Sequence, residues 1–445
     1  MLMYLMKRIH EIGLSHLPTA TFGACFCLLS LRSWERFLIP HLWAEDGSVF
    51  LTAAYELGID SLTQPLAGYY HTVPRLLAYA FSLLPVSLYP RLIVLSSVIT
   101  CAAVSSQFSR FTYRWLVPSD SARVGVCLAM CVAPGLYEVL GNLANLHNLL
   151  MVYLGFVAIR NLHERLSLTE LAVALLALGS EGACIVLLPA FIARLVFGWR
   201  SPSKQSDLLI IGMMVAWTAT HATAAVSSTI GHPEWQAMFQ AALQVVPERF
   251  VLLPLLGARK TIWLIHFSAS WVLGWIILSG MILVSSRRLG WQITVPAFTA
   301  GSAFALYVVT WMVRPEAFLA FTRPSRQLFM LRYAYVAFPH ALVVWSIFLS
   351  SIRFPARYRQ ALQWMFCGIV SLLARQPSAL GPVLGGGRTD WPQVSAKLEE
   401  AVREHSCVTL QFPSTPPGWV MMYRPPASMC RHESPEMSGG RDRHD

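Results

Sequence analysis

Long apolar runs constrain the fold of this sequence more than any other feature. Stretches of about 20 apolar residues recur along most of the 445-residue chain, and a run of about that length crosses a bilayer as an α-helix, because lipid offers the backbone no other hydrogen-bonding partner. Hydrophobic residues make up 55% of the chain and charged residues 13%, against about 25% charged residues in ordinary soluble proteins. The composition excludes a soluble globular protein and predicts an all-α polytopic membrane protein.

The apolar runs predict about eleven transmembrane helices. The region 169–198 is too long for one straight helix and contains Ser180, Glu181 and Gly182. We therefore expect a short helical hairpin there, with Glu181 at its water-exposed turn. The first run has no small-residue cleavage site after it, which is typical of an uncleaved signal-anchor. Single spans are expected near 12–31, 88–108, 124–141, 146–160, 207–228, 262–284, 292–312, 333–351 and 361–374.

The basic residues predict the orientation of these spans. Lysines and arginines concentrate in the short loops around Arg114, Arg160, Arg200 and Arg288, and cytoplasmic loops carry this excess. The N-terminus is therefore expected inside and the C-terminal tail outside. The net charge of +11 has the same cause, so it does not imply nucleic-acid binding. The outward side is predicted to receive the larger loops 32–87, 229–261 and 313–332.

The C-terminal tail has a different character from the membrane domain, which we assign to residues 1–374. Residues 391–405 read as one amphipathic helix, and the strand-like CVTLQF and VMMY follow on either side of the turn STPPGW. These patterns predict a small extracytoplasmic α/β cap over residues 375–424. Residues 425–445 are polar, and we expect them to be disordered.

Two adjacent carboxylates stand just after the first span, in the sequence HLWAEDGSVF (41–50). Glu45 and Asp46 repel each other unless they are solvated, paired or bound to something. A solvated turn is one interpretation of this segment. A functional acid is the other.

Further polar residues are predicted at the outward ends of spans. His71 and Arg75 lie in GYYHTVPR, Asn145 and His147 lie in NLANLHN, and three arginines accompany the late RYAYVAFP segment. Ionisable residues at membrane depth are costly and usually functional. The alternatives are arginines that reach to lipid headgroups and asparagines that form interhelical hydrogen bonds.

Five segments in order, WAEDG, GYYHTVPR, NLANLHN, RYAYVAFP and TPPGWVMMY, resemble the bacterial membrane glycosyltransferases of the GT-C superfamily. The likeness covers most of residues 30–424. It implies a GT-C-like fold in the bacterial inner membrane, with the cap in the periplasm. It also implies inverting transfer of a sugar from a polyprenyl-phosphate donor to a cell-envelope glycan or lipid acceptor.

The resemblance also implies roles for individual residues. The catalytic base is Asp46 or Glu45, with Asp46 favoured; many relatives have Asp-Glu where this chain has Glu-Asp. Arginine forks match phosphate oxygens, and the donor phosphate is assigned to Arg332, Arg75, Arg323 and Arg326. The substrate-binding residues are His71, Tyr69, Asn145, His147, Tyr333 and Trp43.

No cofactor is required by this chemistry, although a divalent cation is an alternative. His71 and His147 are its candidate ligands, together with Glu45 or Asp46, but no His-X-X-X-His spacing supports a metal. A hydrogen-bonding role is favoured for both histidines. The functional alternatives are a transporter or flippase for lipid-linked saccharides, and an oligosaccharide ligase or polymerase.

Overall fold

The computed structural model of the chain describes residues 2–66, 68–133, 136–225, 251–265, 270–294, 331–373, 391–404, 409–414 and 419–423, with isolated residues at 243, 247, 297 and 301. This part of the chain is mainly α-helical and carries one two-stranded sheet. The predicted all-α class is confirmed for it.

The described helices follow the apolar runs. Their bounds are α1 (Leu2–Arg32), α2 (Trp34–Leu38), α3 (Thr52–Leu57), α4 (Thr72–Ser82), α5 (Tyr89–Ser106), α6 (Asp120–Met130), α7 (Leu136–Val139), α8 (Leu146–Ala158), α9 (Leu168–Ser180), α10 (Leu188–Phe197), α11 (Lys204–Ala225), α12 (Leu253–Ile265), α13 (Ser270–Leu289), α14 (Leu331–Ser351), α15 (Ala356–Leu373) and α16 (Trp391–Arg403). A π-helix covers Asp46–Leu51, and 3₁₀ turns cover Gly58–Thr63, Val86–Leu88, Gln107–Ser109, Phe111–Tyr113, Gly182–Leu187 and Gly290–Ile293.

Two helical segments of the described residues are long and apolar enough to cross a membrane, Val86–Ser109 and Ser270–Leu289. A third candidate is the pair formed by α9 and Gly182–Phe197, which is bent by 117°. These segments are consistent with a membrane protein. The total of eleven crossings stays a prediction.

The bend confirms the helix break predicted around Glu181. Helix α9 starts with a capping box, in which Ser167 and Glu170 hydrogen bond to each other's backbone. It ends where Glu181 adopts an extended backbone. In contrast, the single span predicted over 124–141 is wrong, because α6 ends at Met130 and α7 begins at Leu136. The sequence places a proline and a glycine between them, and proline interrupts helices.

The contacts within the chain define two compact units. Unit 1 contains the long helices, and α8 is buried along almost all of its length. Gly155 of α8 packs so tightly against His340 of α14 that a Cβ atom would collide with the imidazole ring. The close approach of these two helices therefore requires a glycine. Unit 1 comprises Met1–Ile39, Thr63–Pro74 and Ile93–Ala379.

Unit 2 brings the acidic segment together with the described part of the predicted cap. The strands β1 (Leu410–Ser414) and β2 (Trp419–Tyr423) pair antiparallel, and β2 contacts the π-helix. Helix α16 buries Trp391, whose indole N–H donates to the Ser87 carbonyl (3.3 Å). The predicted amphipathic helix and strand pair are thus confirmed. Unit 2 comprises Pro40–Leu62, Arg75–Leu92 and Leu380–Asp445; residues 425–445 lie outside the described part.

Candidate functional site

The acidic pair stands at the start of the π-helix in unit 2. The Asp46 side chain is 0% exposed, whereas Glu45 is half-buried. The Asp46 N–H donates to the Trp43 carbonyl (2.8 Å), so the backbone holds the acid in place. Helical turns of the π type are rare and often occur at functional sites. A solvated turn, the alternative interpretation of this segment, does not describe Asp46.

Two hydroxyl groups hydrogen bond within the acidic segment. Ser48 Oγ donates to the Ala44 carbonyl (3.0 Å), and Thr52 Oγ1 donates to the Gly47 carbonyl (2.9 Å). The Gly47 carbonyl also accepts the Thr52 N–H, so the Thr52 hydroxyl adds a second hydrogen bond to the same acceptor. The segment is therefore ordered by its own side chains.

Arg75 brings a buried cation into the same unit. It lies in α4, is 3% exposed, and its guanidinium carbon is 5.3 Å from the centroid of the Phe50 ring. Phe50 belongs to the π-helix, about one turn after Asp46. Burial lowers the pKa of Arg75 to about 10, so the group stays charged near neutral pH. Among the described residues, Nε and Nη1 of Arg75 have no hydrogen-bond partner.

A buried tyrosine interacts with the carboxylate of Asp46. Tyr89 is fully buried and interacts electrostatically with Asp46 and Tyr55. Such a setting has a low effective dielectric, where a charge acts more strongly on its neighbours than it does in water. Unit 2 can therefore support proton transfer at Asp46 and anion binding at Arg75.

A second group of polar residues lies in unit 1, which we call the histidine cluster: Tyr69, His71, His147, Glu181 and His221. The Tyr69 ring stacks on His71, with ring centroids 4.2 Å apart. The ring centroids of His147 and His221 lie 5.7 Å and 6.2 Å from that of Tyr69, each in an edge-on arrangement. The ring centroids of His71 and His147 are 5.5 Å apart. Residues far apart in sequence thus meet around one tyrosine.

Glu181 and His147 form a hydrogen-bonded pair at the centre of this cluster. Nδ1 of His147 lies 2.6 Å from Oε2 of Glu181, and Oε1 of Glu181 accepts the Ala183 N–H (2.9 Å). Glu181 is 4% exposed, so the expected water-exposed turn is wrong. Its carboxylate is buried because it both caps the following 3₁₀ turn and pairs with a histidine. His147 has the hydrogen-bonding role that the sequence favoured.

His221 and Trp217 were not recognised from the sequence. The Tyr70 N–H donates to Nδ1 of His221 (3.2 Å), and Trp217 stacks on the same ring with centroids 5.6 Å apart. Both residues belong to α11. One histidine and one tryptophan in an apolar helix give no signal of function, whereas Glu181 was visible as an acid inside an apolar run.

Asn145 precedes α8 and belongs to a local turn. Its N–H donates to the side-chain oxygen of Asn142 (2.8 Å), and both residues are buried. This bond positions the first turn of α8, which carries His147. Asn145 therefore lies next to the histidine cluster in sequence and supports its geometry.

The predicted site residues divide between the two units. Unit 2 holds Trp43, Glu45, Asp46 and Arg75, and unit 1 holds Tyr69, His71, Asn145 and His147. Arg332 and Tyr333 lie at the start of α14, but their side chains are outside the described part, as are Arg323 and Arg326. Within the described ranges, no three His, Cys, Asp or Glu residues are placed to hold a metal ion.

Comparisons of the chain with protein-family models, with curated proteins and with solved structures found no match. The GT-C resemblance of the five sequence segments stays a prediction.

Proposed function

We propose that the chain is an integral membrane glycosyltransferase with a GT-C-like fold. In this proposal it moves a sugar from a polyprenyl-phosphate donor to a cell-envelope glycan or lipid acceptor, on the periplasmic side of the bacterial inner membrane. The observation that carries the proposal is the complete burial of Asp46 on a π-helix, in the same compact unit as a buried arginine.

The buried acid supports the role of general base. Burying a charged carboxylate away from water is unfavourable unless other groups pair with it or hydrogen bond to it. A carboxylate buried in this way is a candidate for a functional role. Asp46 takes the proton from the acceptor hydroxyl, and the hydroxyl oxygen forms a bond to the anomeric carbon of the donor sugar. The bond between that carbon and the phosphate oxygen breaks, and polyprenyl phosphate leaves with the electron pair. A single displacement of this kind inverts the anomeric configuration.

The buried cation supports stabilisation of the leaving phosphate. Nε and Nη1 of Arg75 are unpaired among the described residues, and a guanidinium edge matches two phosphate oxygens. Hydrogen-bond donors placed where negative charge develops lower the barrier of group transfer. Arg332, Arg323 and Arg326 complete the phosphate-binding set that the sequence resemblance implies.

The test is sugar transfer by the purified chain in proteoliposomes, with polyprenyl-phosphate sugars and envelope glycans as substrates. General-base catalysis contributes about 10²- to 10⁴-fold to a rate, so Asp46→Asn is expected to lower transfer by at least about 10²-fold. Glu45→Gln should have a smaller effect, because Glu45 is half-buried. Mass spectrometry of the glycan products gives the readout.

The matched control is Asp60→Asn, which removes an exposed carboxylate from the same unit and should leave transfer unchanged. Thermal unfolding of each variant separates lost chemistry from lost folding. If Asp46→Asn and Glu45→Gln both retain full transfer, the catalytic assignment is wrong.

The transporter alternative is favoured by one observation, the 117° bend between α9 and Gly182–Phe197. Transporters often bind substrates at interrupted helices, and Glu181 and His147 pair at this interruption. Proteoliposomes distinguish the two functions. A transporter moves the lipid-linked saccharide across the bilayer without forming a new glycosidic bond.

A further inference from the structure

A cavity of about 170 Å³ lies in unit 1, far from the acidic segment in sequence. It lies among three short loops that the distribution of basic residues predicts to face the cytoplasm, around residues 110–119, 159–167 and 287–292. We call it the basic cavity. Its lining residues are Trp115, Arg160, Asn161, Leu162, His163, Phe197 and Gln292.

Arg160 is an arginine in the lining of the basic cavity. It is 7% exposed, its Nη1 pairs with Glu170 (2.8 Å), and its Nη2 donates to the Arg165 carbonyl (2.9 Å). Nε of Arg160 is buried and has no hydrogen-bond partner among the described residues. A buried donor without a hydrogen-bond partner is unfavourable. An acceptor atom in the cavity would remove that cost.

Arg288 lies beside the cavity and is not one of its lining residues. Its Nη2 donates to the carbonyl of Trp115 (2.9 Å), a residue that lines the cavity. Nη1 of Arg288 is also buried without a hydrogen-bond partner in the described ranges. Within those ranges, the residue has no carboxylate at salt-bridge distance, so its charge adds to the local positive potential.

The neighbouring carboxylates form ion pairs with arginines other than Arg288. Glu170 pairs with both Arg110 and Arg160, and Glu164 lies 3.5 Å from Arg160. The buried Asp207 pairs with Arg194. None of these acids is paired with Arg288, and His163 adds a further basic group to the lining.

The other walls suit a small ligand with a polar and an apolar part. The amides of Asn161 and Gln292 offer hydrogen bonds, while Trp115 and Phe197 offer apolar surface. Pockets for whole drug-sized ligands or cofactors measure about 300–1,000 Å³. The basic cavity is smaller, so its size favours a single phosphate group over a nucleotide.

We infer that the basic cavity binds a phosphate group, held by Arg160 and flanked by the amides of Asn161 and Gln292, with the charge of Arg288 beside the lining adding to the attraction. The phosphate belongs either to the headgroup of an anionic phospholipid or to free inorganic phosphate. Basic pockets between helices on the cytoplasmic side of membrane proteins bind anionic headgroups, and Trp115 and Phe197 would contact the start of the acyl chains. This site goes beyond the proposed transfer reaction and does not depend on it.

Native mass spectrometry of the full chain in detergent tests the inference. The probes are short-chain phosphatidylglycerol, inorganic phosphate and an uncharged diacylglycerol. Binding of phosphatidylglycerol but not of phosphate identifies a lipid headgroup site, and binding of both identifies a general phosphate site. Binding of neither, or equal binding of the uncharged lipid, overturns the inference.

Variants assign the bound phosphate to the cavity. Arg160→Gln removes a charge-assisted hydrogen bond from the lining and is expected to weaken phosphate binding about tenfold or more. Arg288→Gln removes only a nearby charge and should weaken binding by a smaller factor. Arg165→Gln is the matched control, because that arginine is exposed and contributes only its backbone carbonyl. Equal weakening by the control overturns the inference in favour of nonspecific attraction.

Arg160 also pairs with Glu170, so its loss can unfold the protein. Gln292→Leu avoids this problem, since it removes an amide donor from the lining without touching an ion pair. We expect weaker phosphate binding at an unchanged unfolding temperature. Unchanged binding in a folded Gln292→Leu variant, together with unchanged binding in Arg288→Gln, would show that the ligand lies elsewhere.

Discussion

Two buried arginines show how differently the two units use a charge. In unit 1, Arg194 is 1% exposed, pairs through Nε with Asp207 (2.8 Å), and donates its remaining hydrogen bonds to backbone carbonyls. In unit 2, Arg75 is equally buried, but two of its nitrogens have no partner in the described part of the chain. A buried charge with all its hydrogen bonds made holds the structure together. A buried charge that still has hydrogen-bond donors to offer can bind a ligand.

The largest effect expected from this comparison is the loss of the Arg194 pair. Arg194→Met leaves Asp207 buried without its cation, and breaking a buried ion pair costs about 3–5 kcal/mol. The free energy of unfolding, measured by denaturant titration in detergent, should fall by that amount. Arg165→Met, at an exposed position, should change it little. A stable Arg194→Met variant would contradict a structural role for the pair.

The same substitution at Arg75 should separate stability from activity. Arg75→Met removes a buried cation, two of whose nitrogens have no partner within the described ranges. The free energy of unfolding should therefore fall by less than about 1 kcal/mol, or rise. Sugar transfer should fall by about 10- to 100-fold, because a charge-assisted hydrogen bond to the leaving phosphate is lost.

Arg75→Lys sharpens this prediction. Lysine keeps the charge but lacks the planar fork, so we expect partial transfer, between the rates of the wild type and of Arg75→Met. A large loss of stability with full transfer per folded molecule would assign Arg75 to the structure and not to the reaction.

The smallest expected effect concerns Asp120, which pairs with the buried Arg123 and with Arg114. Burial raises the pKa of Asp120, but hydrogen bonds to Arg114 and the charge of Arg123 outweigh this and lower it below 3.8. A lowered pKa in the folded state gives stability that is present above the unfolded pKa and lost as pH falls through the folded pKa.

Asp120→Asn should therefore reduce the unfolding free energy at neutral pH, by about 1 kcal/mol or less because the pair is partly exposed. The difference from the wild type should shrink as the pH falls below 3.8, the ordinary pKa of the carboxyl group. Unfolding measured across this pH range gives the check. A constant difference at all pH values would show that Asp120 does not stabilise through its charge.

Local patterns predicted several elements correctly. The amphipathic period of residues 391–405 predicted α16, and the two strand-like segments after it pair as β1 and β2. Polar Ser180, Glu181 and Gly182 inside an apolar run predicted the helix break. Each of these signals lies within one short window of sequence, where periodicity and polarity act directly on the backbone.

The partners of the same residues could not be predicted in this way. Glu181 looked like a solvent-exposed turn residue, yet it is buried against His147, and Tyr69 joins His147 and His221 from two other helices. No short window contains these residues together. Only the packing of α8 and α11 around residues 69–71 brings them into contact.

The amino-acid sequence alone established the helical, membrane-compatible class of this protein, because hydrophobicity and its period are properties of each segment. It also identified Asp46 and Arg75 as residues that need an explanation. The tertiary structure decided which polar groups are buried and which of them have partners, since burial and hydrogen bonding depend on segments that are distant along the chain. That distinction separates Arg194 from Arg75, two of whose nitrogens have no hydrogen-bond partner among the residues that the structure describes.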